Sequence, residues 1–307
     1  EVRKENQYRE GYYWGPIPEK NGRWNGVYVH GNKALLSYSI ADAEIIEMPG
    51  IEDRSVFTRT FRIGPSSRPL FLNVGEITNV GEVEVNGAKA MLYQGDNKDT
   101  LTVVGVRPDG GELYEVELVE NRYAVVEVPD SPVTRELTVL FWKGPAKDQA
   151  IFENVYRKNT KFRIPAFEHG GPPHWSETVE TKGHVSPDTS AFVTDQLTLP
   201  LPNPWKRNVR VVDITFFKED RAAVLTFSGD VWIVEGITKG LEKLVWKRFA
   251  SGLFEPMSLV VKDSELYVFG KEGIVRLHDL NQDNEADFYE NFSNLMQQGP
   301  DTYEWAS

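Results

Sequence analysis

Residues 82–92 read EVEVNGAKAML, in which the dipeptide Asn86-Gly87 separates two short runs of residues that favour β-strands. Asn-Gly suits the type I′ turn of a tight hairpin, because both central residues of that turn have positive φ. Similar runs, separated by turn residues, recur over residues 23–164 at a spacing of roughly ten residues and without a helical period. The sequence therefore predicts a β-sandwich of about ten strands in the first half of the chain.

The second half repeats a pattern of strands and turns at an offset of roughly 42 to 45 residues, the length of a four-stranded propeller blade. Ile214 corresponds to Leu259, and Val231 corresponds to Ile274. Residues 205–307 suffice for about two blades, whereas a closed propeller has about four to eight. Because two blades alone would leave sheet edges exposed, we expect a continuation of the chain or a second chain to supply the missing blades.

The predicted fold class is all-β, with an N-terminal β-sandwich followed by the blades of an incomplete propeller. The sandwich domain covers residues 1–164 and opens with an aromatic strap around Tyr12, Tyr13 and Trp14. Residues 165–204 form an inter-domain connection rich in Pro and Gly, which we call the strap segment. Residues 205–307 contain the two blades.

The strap segment is long for a loop inside a compact domain. It contains the run HGGPPHW at residues 169–175 and stays irregular to about residue 204. We expect it to be ordered, because its apolar side chains can be buried. These side chains are Trp175, Phe192, Leu197 and Leu199.

The composition excludes several classes of function. The 307 residues include 34 Lys and Arg against 46 Asp and Glu, and the net charge of −12 argues against binding to nucleic acid. Cysteine is absent, which excludes disulfides, zinc–thiolate sites, cysteine nucleophiles and covalently attached haem within these residues. No apolar run approaches the roughly 20 residues of a membrane-spanning helix. The chain begins at Glu1 rather than Met, and we expect that a leader was removed.

Residues 279–290 read DLNQDNEADFYE and match the twelve-residue calcium loop of the EF-hand type. Calcium is a hard cation that takes six to eight oxygen ligands, which alternating side chains on a tight loop can supply. The predicted ligands are the side chains of Asp279, Asn281, Asp283, Asp287 and Glu290 and the backbone carbonyl of Glu285. Asn284 replaces the usual Gly and is a residue type that tolerates positive φ. The alternative interpretation is an acidic surface loop.

The five histidines do not predict a metal site. His169, His174 and His184 lie in the strap segment at a spacing that matches no usual zinc pattern, which favours structural polar contacts. His30 and His278 lie in or beside predicted strands. A catalytic role for either would need partners that the sequence does not show.

Aromatic residues near the N-terminus are of the types that form sugar-binding platforms. They occur at residues 12–16 and 23–25, and anchoring of the core is the alternative interpretation. A glycosidase pair cannot be selected among 46 acidic residues. The sequence contains no phosphate-binding glycine loop, nucleophile elbow or zinc-protease motif.

Five segments carry a resemblance to a known family. They are RWNGVYVHG at 23–31, GGPPHW at 170–175, GDVWIV at 229–234, WKRFASGL at 246–253 and RLHDLNQD at 276–283. Together they resemble large secreted bacterial proteins described as membrane-bound dehydrogenases. Those proteins combine a glucose/sorbosone-dehydrogenase-like β-propeller with, in many cases, a C-terminal haem-binding cytochrome c region. The resemblance covers most of this chain but only the front of such a protein, and it implies a periplasmic or secreted location.

The resemblance implies that the complete protein is an oxidoreductase that oxidises a sugar or related alcohol with pyrroloquinoline quinone (PQQ) and passes electrons to a cytochrome c. In related propellers the quinone lies over the central axis, with a His base, an Arg and calcium nearby. Neither the His nor the Arg can be carried over to a position here, so the catalytic and quinone-binding residues stay unassigned. The loop at Asp279 is the one matching element, and it can equally be a structural brace. The cytochrome acceptor would lie outside these residues.

Two classes of function follow, and the residues alone do not decide whether the chain is part of an enzyme. In the first, the chain is the front part of a calcium-containing, PQQ-dependent sugar or alcohol dehydrogenase. The alternative is a non-catalytic module that binds a sugar, a polysaccharide or another protein. Glycoside hydrolysis or lyase action by the sandwich remains open as a third class.

Overall fold

The all-β prediction is confirmed, because 52% of the chain is strand and 5% is helix. The computed structural model describes residues 20–77, 80–85, 88–95, 99–108, 114–157, 163–217, 220–238 and 240–295. No helix in these ranges has the length and apolar character that crossing a membrane requires. Residues 12–16, with the aromatic side chains of Tyr12, Tyr13 and Trp14, lie outside the described part of the chain.

The chain divides into two compact units. Of the described residues, those up to Asn25 and within Lys33–Ala166 form the first unit, and those within Gly26–Asn32 and from Phe167 onward form the second. The division after Ala166 lies next to the predicted end of the sandwich domain. No local pattern in the sequence predicts that the short segment Gly26–Asn32 belongs with the second half.

The first unit consists of antiparallel strands in two sheets. One sheet has the order β2-β3-β4-β11-β8-β7-β6, and the other has the order β5-β10-β9. The strands are β1 (Gly22–His30, shared with the second unit), β2 (Lys33–Ile40), β3 (Ala43–Glu52), β4 (Val56–Ile63), β5 (Leu70–Glu76), β6 (Val80–Val85), β7 (Ala88–Gly95), β8 (Thr100–Pro108), β9 (Val116–Val119), β10 (Tyr123–Val128) and β11 (Arg135–Pro145). Strands β6 and β7 pair antiparallel, which confirms the hairpin, although its turn lies outside the described residues.

The core of the first unit lies on both faces of strand β11. Leu137 and Val139 pack in the cluster that includes the three-stranded sheet, whereas Leu140 and Trp142 pack with the helix α1 (Ala150–Arg157). Successive strand residues point to opposite faces of a sheet, so this strand is apolar on both sides. Sheet-on-sheet packing of this kind is the sandwich arrangement that the sequence predicts.

The second unit contains two successive antiparallel meanders of four strands each. The first meander has β12 added at its β16 edge, and the β20 edge of the second pairs with residues of β1. The strands are β12 (Thr178–Thr181), β13 (Val211–Phe216), β14 (Arg221–Thr226), β15 (Val231–Glu235), β16 (Leu244–Ala250), β17 (Ser258–Lys262), β18 (Glu265–Gly270), β19 (Gly273–His278) and β20 (Phe288–Ser293). The matched residues Ile214 and Leu259 lie in the first strand of each meander. Each meander has the strand order of a propeller blade.

Strands β14 and β15 of the first meander are buried on both faces. Leu225 and Ile233 pack in one cluster with Leu266 and Val268 of the second meander. The opposite face carries Trp232, whose ring centroid lies 5.6 Å from that of Trp205, beyond the strap segment. The strap residues Val179, Leu197 and Leu199 pack against the same cluster. The strap segment therefore covers this face of the first meander.

One expectation about the strap segment is wrong. Phe192 is 94% exposed and buries nothing, whereas Leu197 and Leu199 are half-buried as expected. The reason is local: Ser190 Oγ donates to the carbonyl of Phe192, within a bend that carries the side chain outward. Trp175 is half-buried.

The second meander has one open face. Val260 is 54% exposed and Phe292 is 49% exposed there, and the Tyr267 ring packs edge-on against Phe292 at 5.1 Å. The same face carries four charged or titratable side chains that contact one another. They are Glu265, Arg276, His278 and Glu290. We call this surface the open face.

Candidate metal centre

The predicted calcium loop connects β19 to β20 in the second unit. Its backbone has positive φ at Gln282 and at Asn284, both near 63°. Asn284 therefore adopts the conformation that was predicted for the position usually occupied by Gly. The Oδ1 atom of Asn284 accepts a hydrogen bond from Nη2 of Arg221 at 2.5 Å, which fixes this side chain outside the turn.

Asp279 closes the turn with its carboxylate. Its Oδ1 accepts from the amide of Asp283 at 3.1 Å, and its Oδ2 accepts from the amide of Asn284 at 2.9 Å. Burial raises the pKa of the Asp279 carboxyl; these hydrogen bonds oppose the shift, and the charge of Asp283 adds to it. A neighbouring cation would favour the ionised form.

Asn281 and Asp283 extend the polar interior of the loop. Asn281 Oδ1 accepts from the amide of Asp283 at 3.0 Å, and its Nδ2 donates to Asp283 Oδ2 at 3.3 Å. The other carboxylate oxygen of Asp283, Oδ1, is buried and has no hydrogen-bond partner in the described part of the chain. An ionised oxygen in this situation costs free energy unless it finds a positive partner. The donor set of Asp279, Asn281 and Asp283 consists of hard oxygens and fits calcium.

The carboxylates of Glu285 and Asp287 are occupied by backbone amides. Glu285 is 5% exposed and Asp287 is 7% exposed. Asp287 Oδ1 accepts from the amide of Gly171 at 2.7 Å, and its Oδ2 accepts from the amide of Leu280 at 2.8 Å. Such charge-assisted hydrogen bonds are among the strong ones in proteins. Calcium would therefore compete with these amides for Asp287.

Glu290 lies on strand β20 and contributes to the open face. Its Oε2 lies 2.6 Å from Nε2 of His278 and 3.7 Å from Nη1 of Arg276. The structure thus separates the predicted ligand set. It brings Asp279, Asn281 and Asp283 together, and it gives Glu290 partners outside the loop.

Histidines do not complete the centre. Within the described ranges, no group of three or more His, Cys, Asp or Glu side chains converges closely enough to hold a metal ion. An ion in the loop would therefore also need amide and carbonyl oxygens, as calcium sites commonly use. His174 packs edge-on against Trp175, and the backbone of His184 pairs with that of Gln196. The calcium site stays a prediction.

Sequence reasoning missed a buried charge network in the second unit. Asp230 is fully buried and accepts from Arg207 Nε, Arg248 Nη2 and Ser251 Oγ, each at 2.7 Å. The guanidinium of Arg248 lies 4.1 Å from the ring centroid of Trp175. A single acidic residue, Asp230, among apolar neighbours was the sequence feature that could have indicated this network. Its partners lie about 20 residues away in the sequence and follow no motif.

The residues of the suggested sugar platform that the structure describes lie in the first unit. Trp24 is 40% exposed and stacks on Tyr38 at 6.5 Å between ring centroids. Nδ2 of Asn25 donates to Glu44 at 3.1 Å. These contacts leave part of the indole accessible to solvent.

Comparisons with known proteins add little to this geometry. A family described as a domain of unknown function (DUF6797) matches residues 2–47. No curated protein matches the chain. A mutant of the heparan sulfate lyase HepC from Pedobacter heparinus matches over 41% of this chain and 22% of the lyase, at 14% identity and a TM-score of 0.27. A second structure of that lyase matches over 74% of this chain and 28% of the lyase, at 10% identity and a TM-score of 0.29. The chain thus spans less than a third of these lyase chains, and such low scores assign no activity.

Proposed function

We propose that this chain is the calcium-braced front part of a propeller-type sugar or alcohol dehydrogenase, in which it serves as a scaffold. The observation that carries the calcium proposal is the Oδ1 atom of Asp283, which is buried in a loop of oxygen donors and has no partner among the residues that the structure describes. The resemblance of five sequence segments is what supports the dehydrogenase class. No residue of this chain is assigned to the quinone or to catalysis.

The ion would be held by Asp279, Asn281 and Asp283, together with the backbone carbonyl of Glu285. These groups supply hard oxygens, and two of them carry full negative charge, which suits calcium. Asp287, a further predicted ligand, would have to exchange the amide of Leu280 for the ion, because its other carboxylate oxygen holds the amide of Gly171. Glu290 would have to leave His278. A calcium ion here would fix the connection between β19 and β20.

Isothermal titration calorimetry tests the site directly. The protein is freed of metal with a chelator and titrated with calcium chloride, and we expect one site per chain. Asp283→Asn should weaken the affinity by about tenfold or more, since it removes charge from a ligand. The control variant is Asp263→Asn, which removes one negative charge from the exposed turn between β17 and β18. It should bind calcium with the affinity of the wild type. Absence of calcium binding at millimolar concentration would refute the brace.

The dehydrogenase class requires additional blades. Native mass spectrometry of the protein from its source should find a longer polypeptide, or a tightly held second chain with a cytochrome c acceptor nearby. That material should oxidise sugars or alcohols with a dye acceptor after addition of PQQ and calcium. A folded species of only 34.9 kDa without such activity would contradict this class.

The open face favours a second candidate, the non-catalytic binding module. The corresponding face of the first meander is apolar, and its residues Leu225 and Ile233 are buried against the second meander. The open face instead carries Arg276 over the ring of Tyr267 at 5.6 Å, and Tyr267 in turn packs against the exposed ring of Phe292. Charged groups beside aromatic rings suit a hydroxylated ligand better than they suit the packing of another blade.

A glycan array followed by calorimetry distinguishes the two candidates. The binding module predicts retention of an oligosaccharide without turnover, weakened by Phe292→Ala. A matched control is Phe216→Ala, which removes another exposed ring from the first meander. Oxidation of the sugar without retention at the open face would instead support the dehydrogenase.

A further inference from the structure

We propose that the calcium loop and residues 170–175 of the strap segment form a latch, in which calcium binding fixes the strap segment against the second unit. This inference rests on the proposed calcium site. It assigns the loop a conformational role in addition to bracing two strands. The argument starts from contacts that are present within the second unit.

The carboxylate of Glu285 makes the main contact between the calcium loop and the strap segment. Its Oε1 accepts from the amide of His174 at 2.7 Å, and its Oε2 accepts from the amide of Trp175 at 2.9 Å. One buried carboxylate thus binds two consecutive backbone amides of the strap segment. Neither amide lies in a helix or strand, so each depends on Glu285 for a partner that is not water.

A second set of contacts surrounds the glycine pair. The amide of Gly171 donates to Asp287, and the carbonyl of Gly171 accepts from Nδ2 of Asn281 at 2.8 Å. Gly170 has φ of 83°, and a Cβ atom there would lie 2.8 Å from Asp287 Oδ2 and 2.9 Å from Asn281 Cβ. The backbone of the strap segment therefore packs directly on the loop, at a distance that only Gly permits.

The same residues would serve the ion and the strap segment through different atoms. Asn281 offers Oδ1 to the loop interior and Nδ2 to Gly171. Glu285 would offer its carbonyl to calcium, while its carboxylate holds the strap segment. An ion that orders these residues therefore also positions the groups that bind the strap segment.

The charges of the loop indicate that calcium binding and docking of the strap segment favour each other. Residues 279–287 contain four acidic side chains, and the only basic contacts to this stretch in the described residues come from Arg221 and from Lys247 to the Asp283 carbonyl. Without a cation, mutual repulsion disfavours the compact loop. Calcium removes that repulsion, and by linkage a docked strap segment tightens calcium binding by the same factor.

Release of the latch would also expose a cation. Trp175 covers the guanidinium of Arg248 at 4.1 Å, and Arg248 is 6% exposed in the docked state. Undocking of residues 170–175 removes this cover. The latch thus controls access to the buried network around Asp230.

Hydrogen exchange measured by mass spectrometry on the full chain tests the latch. In calcium, the amides of Gly171, His174 and Trp175 should exchange about tenfold more slowly than in chelator, because opening then requires the loop to release. Peptides from strand β14, which is buried on both faces, should exchange equally in the two conditions.

The variant Glu285→Gln separates the latch from the calcium site. It keeps the backbone carbonyl that would bind the ion, so calorimetry should still show calcium binding, with lower affinity by the coupling factor. The strap amides should exchange fast with and without calcium. Glu177→Gln removes the same charge from an exposed position in the strap segment and should behave as the wild type does.

The outcomes are distinguishable. If calcium does not bind the wild type, the proposed calcium site fails and the latch fails with it. If calcium binds but strap exchange does not change, the site stands and the latch is overturned. Circular dichroism of each variant verifies that the β fold is retained, so that fast exchange reports undocking.

Discussion

The carboxylate of Asp230 lies 2.7 Å from the guanidinium of Arg248, and Asp230 has no exposure to solvent. Arg207 approaches the second carboxylate oxygen at the same distance. A buried charge of this kind is retained only where its partners satisfy it, because removal from water costs several kcal/mol. This pair therefore ties strand β16 to the turn before β15, and it fixes Arg248 below the ring of Trp175.

Substitution of Asp230 by Asn should strongly destabilise the protein. The change leaves the buried guanidinium of Arg248 without its counter-charge, and we expect a loss of about 3 kcal/mol in the free energy of unfolding. Urea titration followed by tryptophan fluorescence measures the loss. Asp263→Asn, at an exposed turn, should change the value by less than about 0.5 kcal/mol. Equal stability of both variants would show that the ion pair contributes nothing.

Substitution of Gly170 by Ala should cost more than the same change at Gly252. Both residues have positive φ, at 83° and 88°, so each Ala suffers the same backbone strain of about 1 kcal/mol. A Cβ at Gly170 would also collide with Asp287, whereas a Cβ at Gly252 would have no described atom within 4 Å. We expect an additional loss of about 1 to 2 kcal/mol for Gly170→Ala. Equal losses in urea titrations would contradict the close packing of the strap segment on the loop.

The strand content was predictable because it depends on local pattern. The hairpin around Asn86-Gly87 and the repeat that relates Ile214 to Leu259 both arise from turn residues between short apolar runs. The grouping of Gly26–Asn32 with the second unit was not predictable, since residues of β1 such as Gly26 pair with β20, which lies far along the chain. Pairing between distant strands leaves no periodic signal in a single sequence.

The sequence predicted only those parts of the candidate site whose residues lie close together along the chain. Asp279, Asn281 and Asp283 come together because they share one turn, and spacing alone shows this. Glu290 follows the spacing equally well, but the pleat of β20 directs it to His278. The contact between Glu285 and residues 174–175 joins positions about 110 apart and could be found only in the structure.

The stability of the protein should decrease at alkaline pH, partly because of Tyr38. Burial raises the pKa of Tyr38 above its ordinary value of 10.0; the charge of Glu47 and its hydrogen bond raise it further, and Arg59 opposes them. Above about pH 10 the unfolded chain releases this proton while the folded protein retains it, so stability falls as the pH rises. Tyr38→Phe should lessen the slope by up to about 1.4 kcal/mol per pH unit. Urea titrations between about pH 8 and pH 11 measure how the free energy of unfolding changes with pH. The same slope in Tyr38→Phe as in the wild type would contradict the contribution assigned to Tyr38.

Calcium should stabilise the folded protein in proportion to its occupancy of the loop. An ion that binds only the native state adds about 2.7 kcal/mol to the free energy of unfolding at a concentration one hundred times its dissociation constant. Asp283→Asn should lose most of this increment. In chelator it should be at least as stable as the wild type, because it removes the negative charge that repels the carboxylate of Asp279.

Magnesium provides the control for this experiment. It demands near-ideal octahedral geometry and gives up its water reluctantly, so at equal concentration it should stabilise the wild type far less than calcium does. Thermal unfolding in calcium, magnesium and chelator gives all the comparisons with one protein preparation. Equal stabilisation by both ions, or by calcium in Asp283→Asn, would indicate general screening of the acidic chain and not a site at Asp283.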